Sequence, residues 1–152
     1  MYSSKSDEWE TPDWLFDELN KEFGFTLDPC ATHDNAKCEK YYIMEDDGLS
    51  KSWEGEIVFV NPPYGRSIGK WVKKCYEESK YATVVVLMPA RTDTSYFHDY
   101  IYGKADDIRF LRGRLKFKNQ MLSSYNEEGD CKLSPAPFPS MIVIFKNKLD
   151  KY

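Results

Sequence analysis

The strongest pattern in the chain is a pair of short, unbroken apolar runs, Ile57-Val58-Phe59-Val60 and Ala82 to Met88. Both are too short and too β-branched for helix, and continuous apolar character marks strands buried on both faces, as in a parallel sheet. Between them, Ser67 to Ser79 places Ile68, Trp71, Val72, Cys75 and Tyr76 on one helical stripe. Strand, helix, strand is a βαβ unit, which predicts two adjacent central parallel strands. Upstream, Leu15, Phe16, Leu19 and Phe23 recur at helical spacing and Gly24 ends that element. Thr11-Pro12 reads as its start, with Thr as N-cap and Pro as the first helical residue. Phe25 to Asp28 then predicts a short first strand closed by Pro29.

The rest is patterned less strongly. Asp34-Asn35 opens a short helix through Lys40, Tyr41 to Met44 reads as a second strand, and Asp46-Asp47-Gly48 is a turn signal. Thr94 to Tyr102 reads as a helix. Ile108 to Arg112 and Leu115 to Phe117 flank Gly113 and alternate apolar with basic residues, a hairpin-like pattern. Asn119 to Pro139 reads as one long polar loop, and Met141 to Phe145 as the final strand. The expected fold is α/β, a mixed sheet with an antiparallel C-terminal end. The 152 residues predict a single domain over 1–152, with 1–8 as a flexible tail.

Composition removes several function classes. The formal net charge of −4 argues against coating nucleic acid through bulk charge, while leaving room for a local basic face. No apolar run is long enough to span a membrane, and Tyr2 to Glu10 has no signal-peptide pattern. The four cysteines form no Cys-x-x-Cys pair, which suits a reducing cytoplasm. Cys30, His33 and Cys38 lie close together, but zinc wants four ligands and a fourth is missing from the spacing, so no metal is expected.

Candidate chemistry concentrates where the first buried run ends, at Asn61-Pro62-Pro63-Tyr64. Two prolines stop the ladder, since neither has an N–H to give, and leave a stiff turn at the carboxyl edge of the sheet. Ligands bind at that edge in α/β sheets. Asn61 Oδ1 and the Pro62 carbonyl can accept from an amine while Tyr64 stacks on the ring that carries it. A strand followed by a proline-rich turn is the plain alternative. Asp28-Pro29-Cys30-Ala31 ends the first strand, where a carboxylate can receive an ammonium or a ribose hydroxyl or simply cap a turn. Lys104, Arg109, Arg112, Arg114, Lys116 and Lys118, set against Asp106 and Asp107 and interleaved with Phe110 and Phe117, form either a phosphate-contacting strip or a solvated sheet face.

Taken in order, Trp9-Glu10-Thr11-Pro12, Phe25 to Ala31, Asn35-Ala36-Lys37-Cys38, Asp47-Gly48-Leu49, Asn61 to Tyr64, Gly113 to Phe117 and Ala136 to Ser140 resemble the phage-type DNA adenine N6-methyltransferases. The resemblance runs from about Trp9 to Phe145. It implies an abbreviated Rossmann-like methyltransferase fold and S-adenosylmethionine as cofactor. The substrate implied is the N6 amine of an adenine flipped out of double-stranded DNA. By that similarity Thr11, Pro12, Asp28, Pro29, Cys30 and Ala31 hold the cofactor and Asp47 faces its adenine. Asn61, Pro62, Pro63 and Tyr64 hold the target amine, and Phe117 packs on the other side of the flipped base. The implied setting is the cytoplasm of a bacterial host. The loop after Asp28 lacks the glycine-rich turn usual in this fold, and no second-strand ribose acid can be assigned. No segment is long enough for a separate target-recognition domain, so specificity falls to 119–139 and the basic strip. The same tetrad serves enzymes acting on RNA bases or glutamine amides, and a non-catalytic nucleic-acid-binding remnant is a further alternative.

Overall fold

The computed structural model describes residues 9–125 and 131–151, with side chains over 9–118 and 135–150. The expected tail at 1–8 and the centre of the expected loop at 126–130 lie outside the described residues.

The two apolar runs form β1 (Ile57–Val60) and β2 (Thr83–Pro89), paired in parallel with Val58 opposite Val84 and Val60 opposite Val86. Helix α1 spans Asp13–Phe23 and α2 spans Ile68–Glu78. The later strands are β3 (Asp107–Phe110), β4 (Lys116–Tyr125), β5 (Cys131–Pro135) and β6 (Ser140–Phe145). The main sheet runs β1-β2-β6-β3, and β6 is antiparallel to both of its neighbours. It is therefore the mixed α/β sheet with an antiparallel C-terminal end that the hydrophobic pattern predicts.

Period-two alternation divides the core between two layers. Val84, Val86 and Met88 face one way and cluster with Trp71, Val72 and Cys75 of α2. Val85 and Leu87 face the other way and cluster with Leu15, Phe16 and Leu19 of α1. Each helix thus closes one face of β2, which is why Val84 to Met88 is apolar without a break.

Several local expectations are corrected. Helix α1 begins at Asp13, one residue late, with Pro12 in the cap position and no side-chain cap. The first strand shrinks to bridges, Leu27 to Val58 and Asp28 to Tyr41, both parallel. Consequently β1 ends the four-stranded ladder instead of lying inside it, although the Leu27 carbonyl accepts from Phe59 N and covers its outer edge. No helix forms over 34–40. The expected strand 41–44 reduces to the Tyr41 bridge before a 3₁₀ turn at Met44–Asp46. The helix expected over 94–102 is largely a π-helical turn, Phe97–Ile101.

The expected hairpin around Gly113 does not form. The backbone turns there through a left-handed φ of 75°, and β3 pairs with β6 while β4 pairs with β5. The expected loop 119–139 is largely this β4–β5 ribbon, antiparallel and interrupted by register shifts. Its strands are polar, so backbone pairing forms them without the hydrophobic period that would announce them.

Candidate active site

Beyond the carboxyl ends of β1 and the bridged segment Leu27-Asp28 lies a cavity of about 840 Å³. Its walls include four stretches separated in sequence, Trp9 to Thr11, Asp28 to Lys37, Asp47 to Leu49 and Asn61 to Pro63, together with side chains from α1, the 43–45 turn and α2. Of the residues expected in the site, Thr11, Asp28, Pro29, Cys30, Ala31, Asp47, Asn61, Pro62, Pro63 and Lys118 line it. Pro12 and Tyr64 adjoin lining residues without lining the cavity themselves.

Asn61 leaves β1 where Pro62 and Pro63 end the pairing. Its Nδ2 donates to the Trp9 carbonyl and, at 2.9 Å, to Thr11 Oγ1. Its Oδ1 is buried with no hydrogen-bond partner among the described residues. A buried acceptor left unmade costs about 1–3 kcal/mol, so such atoms are scarce in folded proteins. This one belongs to a side chain on the cavity wall.

Asp28 is the opposite case. It is 4% exposed, with Oδ1 accepting from Cys30 N at 3.2 Å and Oδ2 from Lys37 N at 3.0 Å. Burial nonetheless raises its pKa above the ordinary carboxylate value, the two backbone donors opposing the rise. Asp47 closes another wall with a left-handed φ of 54°, a conformation Asp tolerates better than most residues. The next residue has to be glycine, because a Cβ on Gly48 would meet the Pro29 carbonyl oxygen at 2.2 Å. Gly48 therefore lets the 47–49 turn seat directly against the Asp28-Pro29 segment.

An aromatic box adjoins this wall. Trp9 lies nearly parallel to Tyr64, at 15° with centroids 6.2 Å apart, and Phe117 and Phe138 meet both rings closer to edge-on. Phe117 is fully buried and stands at 86° to Tyr64. Trp9 is thus the ring that covers a Tyr64 face in this structure. Sequence reasoning assigned neither Trp9 nor Phe138 a role, although both lie in motifs that carry the family resemblance. Tyr64 Oη donates weakly to the Leu87 carbonyl at 3.4 Å, and burial holds its phenol well above the usual pKa.

The basic residues do not form one strip. Arg109 is held by Glu22, through two bonds of 2.7 Å, and by Asp107. Lys118 pairs with Asp13, which Lys37 also contacts, and these cations lower the Asp13 pKa. Arg112, Arg114 and Lys116 are exposed and make no ion pair among the described residues. Together with Trp14, which is 61% exposed, they line a shallow depression. Phe110 is exposed and Phe117 buried, so the two aromatics do not share a face.

His33 Nδ1 meets Tyr41 Oη at 2.7 Å, and the Cys38 thiol is pushed up to about 12 by burial and by the nearby Asp28 and Glu56 carboxylates. Among the described residues no three His, Cys, Asp or Glu side chains group to hold a metal ion. No described helix is long and apolar enough to cross a membrane.

Comparison with known proteins adds the family. A family model described as DNA N-6-adenine-methyltransferase (Dam) matches residues 1–152. The DNA N-6-adenine-methyltransferase of Haemophilus phage HP1 (strain HP1c1) is 28% identical over 149 residues, 95% of this chain and 82% of that protein. The DNA N-6-adenine-methyltransferase of Escherichia phage T1 is 34% identical over 105 residues, 67% of this chain and 44% of its own length. With the match running from the first residue to the last, this chain belongs to the DNA N-6-adenine-methyltransferase family.

Proposed function

We propose that this chain is an adenine-specific DNA methyltransferase that moves the methyl group of S-adenosylmethionine to the exocyclic N6 of adenine. The observation that carries the reading is the partnerless, buried Oδ1 of Asn61 on the wall of a cavity large enough for a nucleoside cofactor. S-adenosylmethionine would supply an electrophilic methyl there: its S–C electron pair would stay on sulfur as a neutral thioether while the N–C bond forms, and the amine proton would pass to solvent. Asp28 through Ala31, Asp47 and the backbone of the Thr11-Pro12 segment would hold the cofactor, and the acids suit a cationic ligand.

The chain's own contribution is orientation and polarisation. The amine lone pair of adenine is conjugated into the ring and is a poor nucleophile. Acceptors at Asn61 Oδ1 and the Pro62 carbonyl draw on the two N–H bonds and localise that lone pair. Pro63 keeps the turn rigid, so these acceptors stand ready before the substrate arrives. Tyr64 offers a stacking surface to a base taken out of the duplex, offsetting part of an extrusion cost of a few kcal/mol. Arg112, Arg114 and Lys116, free of acidic partners among the described residues, suit the phosphates.

Labelled-methyl transfer offered in parallel to DNA, RNA and a glutamine-containing protein tests the reading. Label should enter DNA and be recovered as N6-methyladenine after digestion. Label in RNA or protein alone, or in none of the three, overturns it.

A further inference from the structure

We propose that Thr11 is a positioning residue for Asn61, setting the amide so that its oxygen is presented to the substrate amine. The inference rests on the reading just given and assigns to Thr11 a task other than holding cofactor. Thr11 is 3% exposed and its hydroxyl, freed from helix capping because α1 starts at Asp13, accepts from Asn61 Nδ2 at 2.9 Å. The other acceptor for Nδ2 is the Trp9 carbonyl. A carbonyl oxygen accepts only, so the amide must turn its nitrogen toward Trp9 and its oxygen away. The Trp9 carbonyl thus decides which way the amide faces, and the Thr11 hydroxyl fixes its rotation. With both amide hydrogens engaged on that side, Oδ1 is left as a fixed, unpaired acceptor. Residues far apart in sequence are thereby coupled at the reacting amine.

The test compares Thr11→Val, which keeps the shape and removes the hydroxyl, with Thr11→Ser, which keeps the hydroxyl. Single-turnover methyl transfer should fall about tenfold in Thr11→Val and return to within about twofold of the parent in Thr11→Ser. Affinity for S-adenosylmethionine, by calorimetry, should change by less than about twofold in both. In an Asn61→Ala background, Thr11→Val should add no further loss of rate, because the group it positions is gone.

A second readout needs no turnover. The Asn61 side-chain N–H signals in a ¹⁵N NMR spectrum, assigned by their loss in Asn61→Ala, should exchange slowly with solvent in the parent and Thr11→Ser. They should exchange at least about tenfold faster in Thr11→Val. Val losing cofactor affinity in step with rate, or Ser behaving as Val does, overturns the positioning role. So does unchanged Asn61 exchange in Thr11→Val. A parent that methylates nothing while its Asn61 exchange follows the hydroxyl would instead defeat the proposed function and leave the coupling standing.

Discussion

Asp28 and Asn61 face one cavity from neighbouring segments, and their polar groups are in opposite states. Both Asp28 oxygens accept from backbone N–H groups of its own loop. Asn61 has both hydrogens engaged and its oxygen without a partner. The satisfied group ties the loop 28–37 together and so carries structural weight. The unsatisfied one costs stability where it stands, a cost that a substrate amine donating to it would recover. The two strand-end residues thus differ in what the fold already supplies: Asp28 has its backbone donors, and Asn61 Oδ1 has none among the described residues.

The largest effect on stability should follow from Asp28→Ala. The Cys30 and Lys37 N–H groups would lose their buried acceptor, costing about 2–4 kcal/mol together. A large drop in the urea midpoint should accompany loss of cofactor binding. From sequence, this substitution reads as sparing the fold, because an acid at a strand end contributes little packing. The structure replaces that view, since the acid is the hub of its own loop. If the midpoint is unchanged, the contrast with Asn61 fails.

The pH dependence sharpens the same contrast. Burial raises the Asp28 pKa in the folded state, so the folded protein holds this proton more tightly than the unfolded chain. Its contribution to stability is full below the ordinary carboxylate value of 3.8 and declines as pH rises from there to the raised value. Asp13 and Glu22, lowered by Lys37, Lys118 and Arg109, act in the other direction, losing their contribution as pH falls. Urea titrations of the parent and Asp28→Asn across this window should differ in slope, the parent declining more as pH rises. Parallel curves would contradict the assignment.

A smaller effect separates the cations. Arg112→Gln with Arg114→Gln should weaken DNA binding several-fold and reduce the salt slope by about 2, one for each phosphate left without its cation. Arg109→Gln should leave the slope alone and cost about 1 kcal/mol or less in stability, because its exposed ion pairs are with Glu22 and Asp107. The smallest effect belongs to Tyr64→Phe. Only a 3.4 Å bond to the Leu87 carbonyl is removed and the ring remains, so turnover should stay within about twofold.

What could be read from the sequence follows the same divide. The framework β1–α2–β2 was legible because continuous burial leaves a continuous apolar run, and the α1 stripe was legible because only one of its faces is buried. The cavity's strand-end residues were legible because Pro62 and Pro63 announce where β1 stops. Pairings across long separations were not. Nothing near Thr11 indicates that its hydroxyl serves Asn61 in place of α1, and nothing near Trp9 indicates that its ring covers Tyr64. The charges of Arg109 and Arg112 look alike in sequence, and only the fold supplies Glu22 to one of them. The β4–β5 ribbon was hidden because backbone hydrogen bonds, unlike burial, leave no mark in residue type.

The most direct test of the account is a paired measurement on Asn61→Ala: cofactor affinity by calorimetry and single-turnover methyl transfer to DNA. The loss of one preorganised acceptor is worth about 3 kcal/mol in the transition state and little in the ground state. Transfer should slow roughly a hundredfold while S-adenosylmethionine affinity changes by less than about threefold. A variant that methylates DNA as fast as the parent, or one whose slower transfer is matched by an equal loss of cofactor affinity, would contradict it.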